Sequence, residues 1–596
     1  YKKPRCQPWS EVSLLRNILS STESLHHRSL PLLFKYACAR LLTAFDCALC
    51  RCCQTLLPSA RADIPTPRSL VNSPEIAAAK RQITLVIEDA ISAGNLTDSI
   101  SLQIFSGSDN DSIFRYSYSA PVTSSATMGV KKVSEDTVFR IGSGSKLWTM
   151  FMFLLETDGD VFTDPITKYV PSLSTTSNAT RKFTGKIDHI QWDGVTVGEL
   201  ASHLAGIPRD YGFGDMAVTE TALQKLEKMG FPVLQGSEIP PCGRESACSG
   251  ANFINGMLES HPLVTTSWTP IYSNAAYEIL GYALENVTGK SYRTLLEEGL
   301  IEPLGLTRSS YSKPDDKYGV IPGTWTENYW NVTVGDETPA GGLYSSAKDM
   351  AAVGRAILNH TLLTAAETRR WMKPSSHTAS LDASIGHPWE ILSLSEPRVI
   401  DLYTKSGDLG WYSSMLALSP DHNAGFTILS AGETSTATVT LLSDQITDVL
   451  IPALEAAAKS QAQKRFAGTY SLGGSNITIS SEEEAPGLKV SAWNLASNNM
   501  FDTIASLKSS DPSSIDIRLY PSGIEVPGQI GFQAVIQSLP ATKSTGLFSG
   551  ACITWETNDA LVYGHVGLDS FLFNVNRDGQ AVSVVPRALR LSLPRL

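Results

Sequence analysis

The stretch RIGSGSKLWTMFMFLLE, from Arg140 to Glu156, joins a glycine-flanked polar turn to an unbroken apolar run. Its first three residues end the segment TVFRIG, which is typical of a short strand. The apolar run that follows predicts a helix that is buried almost all round. Ser143 and Lys146 lie three residues apart and face the same side of the first helical turn, where the helix dipole favours an ionised serine and a neutral lysine. A nucleophile with its base and a helix-capping serine beside a solvated lysine both fit this pattern.

Ser-x-x-Lys occurs three times in the chain, so the surroundings must decide among the copies. Ser310 and Lys313 are followed by a proline, which predicts a loop. Ser345 and Lys348 open an amphipathic helix, where a serine is expected as the N-terminal cap. Both copies are explained without chemistry, which favours the pair at Ser143.

Two further motifs carry polar side chains beside predicted elements. Tyr272 and Asn274, in TPIYSNAAYEILGYALE, precede a helix and are separated by one residue, so both can face one cavity from an extended turn. A second Tyr-x-Asn, at Tyr329, lies in an aromatic, loop-like stretch and is interpreted as surface. The stretch LYTKSGDLGWY holds the chain's single Lys-Ser/Thr-Gly, starting at Lys405. Its glycine would let a ligand approach the strand closely.

The order Ser-x-x-Lys, Tyr-x-Asn, Lys-Ser-Gly resembles the serine β-lactamase and penicillin-binding-protein family, and the Tyr-x-Asn form is similar to its class C and esterase-like branch. The stretches VFRIGSGSK, LASHLAGIP and AGGLYSSAKDMA resemble the same branch. The resemblance covers about residues 75 to 460. The tail, with CITWE and YGHVGLDSFLF, is similar to C-terminal domains of secreted fungal β-lactamase-like proteins.

This resemblance implies an α/β (α+β) fold, in which an antiparallel sheet is flanked by helices with a helical subdomain. It also implies a serine hydrolase that forms an acyl-serine intermediate on an amide, lactam or ester. Ser143 would attack the carbonyl, while Lys146 and Tyr272 would move protons. The implied substrate-binding residues are Asn274, Lys405, Ser406, Gly407 and Asp408. The backbone N–H groups of Ser143 and Asp408 would form the oxyanion hole.

Asp408 departs from the small residue usual at its position in the family, and its carboxylate would repel an anionic substrate. An insertion between Asp210 and Cys248 is expected to reshape the rim of the pocket. Acyl transfer to a small metabolite, or ester hydrolysis, would use the same residues. A non-catalytic binding protein on the same fold is a further alternative.

Pattern changes along the chain predict three segments. Residues 1–74 lack sustained periodicity and end in a proline- and serine-rich stretch, which indicates a linker. Residues 75–460 alternate helical and strand patterns, from a helix in IAAAKRQITLVIEDAISAG to a long closing helix in VTLLSDQITDVLIPALEAAAKSQAQK. Within them, RVIDLYTKSGDLGWYSSMLALSP and AGFTILSAG predict a strand pair. Residues 461–596 show short alternating runs without helical spacing and predict a β-rich domain.

Composition restricts the class of protein. The 596 residues are 42% hydrophobic, enough for a sizeable core. The net charge of −11 comes from interspersed acids, so nucleic acid is not an expected partner. The longest apolar stretch, at residues 30–50, is interrupted by charges, and no membrane span is expected. The implied mechanism uses side chains and water, so the expected partner is a small-molecule substrate and no cofactor or metal is expected.

Cysteine positions and glycosylation triplets favour secretion to the extracellular space. Six of the nine cysteines lie within the first 53 residues, and zinc is disfavoured because no second ligand pair follows at finger spacing. Cys242 and Cys248 close a small loop and are predicted to form a disulfide. Asn-x-Ser/Thr triplets mark potential glycosylation sites, although several are expected by chance in a chain so rich in Ser and Thr. They lie at Asn95, Asn110, Asn178, Asn286, Asn331, Asn359 and Asn476.

Overall fold

The computed structural model describes residues 63–157, 159–174, 185–243, 247–395, 398–482, 485–539, 546–548 and 554–596. Most of the predicted N-terminal segment, with its six cysteines, lies outside these ranges. So does the predicted glycosylation site Asn178.

The first large sheet contains most of the strands before residue 432, and it is antiparallel throughout. The strands in this part of the chain, inside or outside that sheet, are β1 (Ser99–Ser106), β2 (Phe114–Tyr118), β3 (Val138–Arg140), β4 (Tyr344–Ser346), β5 (Ser376–His377), β6 (Ala383–Ile385), β7 (Glu390–Leu394), β8 (Ile400–Leu409), β9 (Tyr412–Ser419) and β10 (Ala424–Ala431). The sheet has the order β2-β1-β10-β9-β8-β7-β6-β5, and β3 pairs separately with β4.

Helices occupy much of the remaining described chain. They are α1 (Pro74–Ser92), α2 (Pro121–Ser125), α3 (Ser145–Thr157), α4 (Val197–Ala201), α5 (Glu220–Lys228), α6 (Gly250–Glu259), α7 (Ala275–Thr288), α8 (Tyr292–Leu296), α9 (Glu302–Leu304), α10 (Trp325–Asn328), α11 (Thr338–Gly341), α12 (Ala347–Leu358), α13 (Ala365–Trp371), α14 (Ser435–Phe466) and α15 (Met500–Lys508). α1 begins as its sequence predicts, because Ser73 caps it and a proline occupies its first position.

The first sheet separates two apolar cores. On one face, α1 and α14 pack through residues such as Ile83 and Leu442 against Ile428 of β10. On the other face, α3, α7 and α12 form a larger core with strand residues such as Leu418. The predicted fold class, an antiparallel sheet between helices with a helical subdomain, is confirmed.

α3 is the central helix of the larger core. All its residues from Ser145 to Leu154 are buried, as its unbroken apolar sequence predicts. The turn before it is a 3₁₀ segment, Gly142–Gly144. Ser145 fixes that turn, because its hydroxyl donates to Gly142 O at 2.7 Å and accepts from the backbone N–H of Leu343 at 3.1 Å. The position of Ser143 is therefore set by buried structure.

The second large sheet follows α14. Its strands are β11 (Gly468–Leu472), β12 (Ser475–Ser481), β13 (Leu488–Leu495), β14 (Asn498–Asn499), β15 (Ile515–Val526), β16 (Gln529–Ser538), β19 (Ser570–Val575), β20 (Ala581–Pro586) and β21 (Leu593–Pro594), while β17 (Val562–Tyr563) and β18 (Val566–Gly567) form a separate hairpin. The predicted β-rich character of the tail is confirmed. The predicted boundary after residue 460 falls inside α14.

Two details of the predicted secondary structure are wrong. The stretch at residues 398–420 is not one strand of a pair but the hairpin β8–β9, because Gly410 turns the chain at a φ of 58°. The tail also contains α15, which Asn499 caps through its side chain. With only nine residues between strands, this helix is too short for its 3.6-residue period to be distinguished from the alternating pattern around it.

Candidate active site

Ser143 and Lys146 lie together at the start of α3. The Lys146 Nζ is 3.3 Å from the Ser143 Oγ and also donates to Asn274 Oδ1 at 2.6 Å and to the backbone carbonyl of Ala340 at 2.7 Å. Lys146 is fully buried. A buried ammonium with three acceptors is a fixed group rather than a solvated one, so the alternative of a capping serine beside a solvated lysine is wrong.

Tyr272 completes a triad of side chains with these two residues. Its phenol donates a hydrogen bond to the Ser143 Oγ at 2.6 Å. The Lys146 Nζ lies 4.8 Å from the centre of the Tyr272 ring, and the Lys405 Nζ lies 5.5 Å from it. The phenol thus contacts the candidate nucleophile and lies near two lysine side chains.

These charges determine the proton affinities at the site. Burial lowers the pKa of Lys146 below its ordinary value. Burial alone would raise the pKa of Tyr272, but the positive charges of Lys146 and Lys405 outweigh it, and the net pKa of the phenol is lowered. A tyrosine with a lowered pKa is present more often as the phenolate, which is the form that can accept a proton.

Asn274 links the lysine to the rim of the site. While its Oδ1 accepts from Lys146, its Nδ2 donates to Asp210 Oδ1 at 2.8 Å. The backbone N–H of Asn274 donates to Arg209 O at 2.7 Å. The insertion that was predicted to reshape the rim therefore begins in direct contact with the Tyr-x-Asn motif.

Lys405 and Ser406 lie on β8, where both bind Glu390 of the neighbouring strand β7. The backbone N–H and the hydroxyl of Ser406 both donate to Glu390 Oε2 at 2.9 Å. The Lys405 Nζ forms an ion pair with Glu390 Oε1 and donates to Ser406 O at 2.8 Å. Burial disfavours a charge on Lys405, but Glu390 overcomes this effect and raises the lysine pKa.

The nucleophile turn and β8 are in backbone contact. A β-carbon at Gly142 would lie 2.6 Å from Asp408 N, and one at Gly407 would lie 2.7 Å from Ser143 N. Gly142 also has a φ of 49°, which glycine adopts most readily. Both glycines are therefore needed for the approach that brings Asp408 beside the turn of Ser143. The Asp408 side chain is exposed and accepts from Thr436 Oγ1 at 2.7 Å.

Cys242 and Cys248 form the predicted disulfide. A β-carbon at Gly212 would lie 2.5 Å from Cys248 Sγ, so the disulfide packs against the chain two residues after Asp210. This contact joins the disulfide loop to the segment that touches Asn274.

Several neighbours of the site carry no sequence motif of their own. His203, buried with a φ of 59°, contacts Tyr272 with the ring centres 4.5 Å apart and the ring planes tilted by 31°, and its Nδ1 accepts from the backbone N–H of Ser273. Burial, followed by the nearby Asp210 carboxylate, raises the pKa of Glu337 to about 8. His203 lies in LASHLAGIP, one of the stretches that carried the resemblance, and Asp210 begins the predicted insertion, whereas nothing in the sequence marked Glu390.

The other two Ser-x-x-Lys copies lie outside the site and are structural. Lys313 pairs with Asp316 at 2.5 Å in a loop. Lys348 forms a surface ion pair with Asp136 at 3.1 Å. The cap of the helix is Ser346, whose hydroxyl accepts from the backbone N–H of Asp349, rather than the predicted Ser345. Among the described residues, no group of three or more potential metal ligands is found.

Comparison with known proteins agrees with this geometry. The profile described as "Beta-lactamase" matches residues 110–451, more than half of the chain. The chain belongs to the β-lactamase family. It is a serine hydrolase of the β-lactamase type. A second profile, described as "Beta-lactamase-like-like, C-terminal domain", matches residues 458–596.

Relatives extend this family assignment along the chain. A "Beta-lactamase-like protein" of Arthroderma benhamiae is 28% identical over 574 residues, which cover 87% of this β-lactamase-family chain and 93% of that protein. "Probable hydrolase M10" of a Phoma species is 27% identical, covering 68% and 69% of the two chains. A "Putative D-alanyl-D-alanine carboxypeptidase" of Escherichia coli K12 is 23% identical, covering 54% of this chain and 76% of that protein.

Across the described residues, every helix is too short or too polar to span a membrane.

Proposed function

We propose that this chain hydrolyses an amide, lactam or ester through an acyl intermediate on Ser143. The observation that carries the proposal is the 2.6 Å hydrogen bond between the Tyr272 phenol and the Ser143 Oγ, close to two lysines. The lysine charges favour ionisation of the phenol, and the Ser143 hydroxyl can then donate its own proton to the phenolate across the same short contact. The E. coli relative, which is named for cleavage of an amide-type bond, supports an amide among the candidate substrates.

In the acylation step, the Tyr272 phenolate takes the proton of the Ser143 hydroxyl as the Oγ attacks the substrate carbonyl carbon. The backbone N–H groups of Ser143 and Asp408 are the proposed donors to the developing oxyanion. When the bond to the leaving group breaks, Tyr272 returns the proton to the departing nitrogen or oxygen. An ester between Ser143 and the acyl group remains.

In the deacylation step, Tyr272 accepts a proton from water, whose oxygen attacks the acyl carbon. The bond between that carbon and the Ser143 Oγ then breaks, and the serine regains a proton from Tyr272 as the free acid leaves. Lys146, which is held by Asn274 and Ala340, keeps its charge close to the phenol during both steps.

Labelling with a fluorophosphonate probe, together with turnover of a chromogenic β-lactam and a panel of short-chain p-nitrophenyl esters, tests this proposal. Wild-type protein is expected to gain one probe adduct, on Ser143, and to turn over at least one substrate. Ser143→Ala should abolish both results, whereas Ser310→Ala, the matched serine of another Ser-x-x-Lys, should retain both. Equal labelling of Ser143→Ala and wild type would refute the assignment of the nucleophile.

We further propose that the protein is secreted and glycosylated. The disulfide supports an oxidising compartment. The candidate asparagines Asn95, Asn110, Asn286, Asn331 and Asn359 are exposed, and Asn476 is half-buried. Treatment of the natively produced protein with an endoglycosidase should lower its mass, and peptide mapping should locate glycans at these positions.

A further inference from the structure

The Lys405 and Ser406 pair forms a receptor for a carboxylate, and the protein fills that receptor itself. Two oxygens of Glu390 accept from three donors, namely the Lys405 Nζ, the Ser406 N–H and the Ser406 hydroxyl. The two oxygens of one carboxylate thus engage a lysine and two neutral donors, as charge-assisted binding of a ligand carboxylate would. The ligand in this structure is a side chain from the adjacent strand.

The charges of this pair leave no attraction for another anion. The Lys405 side chain is 1% exposed, whereas the Glu390 side chain is 35% exposed, so the carboxylate rather than the ammonium faces the solvent. The other carboxylates at the rim do not reverse this balance. Asp408 is exposed two residues after Ser406, whereas Asp210, which accepts from Asn274, is paired with Arg209 at 3.4 Å. A substrate carboxylate directed at β8 would therefore meet the Glu390 and Asp408 carboxylates, while the Lys405 ammonium is buried behind Glu390.

We propose that Glu390 is a specificity-determining residue that excludes substrates with a carboxylate at the β8 side and selects esters or amides that are uncharged there. This inference rests on the proposed function, because it describes which substrates reach Ser143. It extends to the position of Lys405 as well. The ion pair holds the ammonium near the Tyr272 ring, so Glu390 acts on the phenol by positioning Lys405 rather than by touching substrate.

Two matched substrate pairs test the proposal without assuming which end of the substrate faces β8. The first pair is an N-acylglycyl ester of 3-hydroxybenzoate and the same ester of methyl 3-hydroxybenzoate, so the carboxylate lies on the leaving group. The second pair is p-nitrophenyl hydrogen succinate and p-nitrophenyl methyl succinate, so it lies on the acyl group. For at least one pair, wild-type kcat/KM is expected to favour the neutral member by about tenfold or more, a difference of about 1.4 kcal/mol.

Glu390→Gln removes the charge with little change of shape and leaves Lys405 without a carboxylate partner, while its hydrogen bond to Ser406 O can remain. We expect the ratio of kcat/KM for the neutral and the anionic substrate to fall at least tenfold in this variant, and the fall to be smaller at high salt because charges are screened. Glu298→Gln is the matched control, since Glu298 pairs with Lys290 at 2.8 Å on the surface, and its ratio should equal that of wild type.

The outcomes separate this inference from the proposed function. If wild type cleaves both members of each pair equally well, or if Glu390→Gln leaves the ratio unchanged, Glu390 does not set specificity, although Ser143 can still be the nucleophile. If wild type cleaves none of the four substrates and Ser143 is not labelled by the fluorophosphonate, the proposed function fails and the inference fails with it.

Discussion

At the scale of single residues, the hydroxyl of Tyr272 is the smallest feature on which the proposed mechanism depends. Tyr272→Phe removes one oxygen and keeps the aromatic contact with His203, so the fold should persist. Because the general base is lost, kcat should fall by roughly a hundredfold or more, in line with typical contributions of such groups. Thermal unfolding monitored by circular dichroism, measured beside kcat, separates loss of chemistry from loss of fold.

Tyr329→Phe is the control for that substitution. The hydrogen bond described for Tyr329 uses its backbone carbonyl, which accepts from Arg140 at 2.7 Å and is unaffected by loss of the phenol oxygen. Turnover should change little. Near-wild-type kcat in a folded Tyr272→Phe variant would show that another group is the base.

The pH dependence of the reaction should report the charge of Lys405. Since Tyr272 must be deprotonated to accept a proton, kcat/KM should fall as pH falls through the pKa of the phenol, which lies below the ordinary value for tyrosine. Lys405→Ala removes a charge that lowers this pKa, so the acidic limb should move to higher pH. The comparison is made in the Glu390→Gln background, so that loss of Lys405 does not leave the Glu390 carboxylate without its partner. An acidic limb that does not move would assign it to another group.

The sequence predicts the motif residues of the site better than their partners. Ser143, Lys146 and Tyr272 were predicted because their spacing resembles a family pattern, and the structure brings them into contact. Glu390 could not be found in this way, since it reaches the site through pairing of β7 with β8, fifteen residues away in the chain. Contacts across a sheet depend on register, which a single motif does not encode.

At the scale of elements, the close approach between β8 and the nucleophile turn should tolerate no side chain. In Gly407→Ala the β-carbon would meet Gly144 N at 2.5 Å and Ser143 N at 2.7 Å, and both atoms belong to backbone that cannot rotate away. We expect a loss of about 1 to 3 kcal/mol in the free energy of unfolding and a large loss of kcat. Urea unfolding and turnover measure the two effects.

Gly299→Ala is the matched control, because a β-carbon there has nothing within 4 Å. Gly299 lies in a helical segment, where alanine is favoured over glycine, so stability should stay constant or rise by up to about 1 kcal/mol. Equal behaviour of the two variants would show that the contact between β8 and the turn is looser than described.

Long periodic elements were predicted well, and short ones were not. α1 and α14 match the predicted helices because their apolar faces repeat over many turns. α15 was missed, since nine residues hold too few repeats to distinguish a helix from alternating strands. The two strands of the hairpin β8–β9 were predicted as one strand, because the turn between them depends on a single glycine with a positive φ.

At the scale of the whole molecule, a buried charge cluster joins the start of the described chain to the first sheet and to α14. Arg398 lies 3.1 Å from Asp63, 2.6 Å from Asp421 and 2.6 Å from Glu455. Burial alone would raise the pKa of Glu455, but hydrogen bonds from His422 and Arg398 lower it to about 2. For Asp63, in contrast, burial outweighs Arg398 and raises the pKa to about 7.

These opposite shifts predict opposite pH effects on stability. The lowered pKa of Glu455 stabilises the fold above the unfolded value near 4.5, and that stability is lost as pH falls toward 2. Glu455→Gln should therefore cost roughly 3 kcal/mol at pH 7 and less at pH 3. The raised pKa of Asp63 makes its ionisation destabilising between about 4 and 7, so Asp63→Asn should become more favourable relative to wild type as pH rises. Urea unfolding at pH 3, 5 and 8 tests both signs.

The last prediction concerns how α14 connects the two sheets. Its final turns contribute Ala462 and Phe466 to the core of the second sheet, where the Phe466 ring lies 5.3 Å from that of Phe532 and 5.1 Å from that of Phe573. A fragment of residues 461–596 keeps these contacts, whereas one of residues 468–596 loses them. Removing a buried phenylalanine costs about 3 to 5 kcal/mol, which is comparable to the stability of a small domain.

We therefore expect the longer fragment to give a β-rich circular dichroism spectrum with a cooperative thermal transition, and the shorter fragment to lack that transition. Phe466→Ala in the full-length chain should destabilise the second sheet in the same direction, which controls for effects of truncation. Mainly helical circular dichroism from the longer fragment would place the boundary elsewhere. Independent folding of the shorter one would mean that α14 serves the first sheet alone, because its last turns would then contribute nothing that the second core needs.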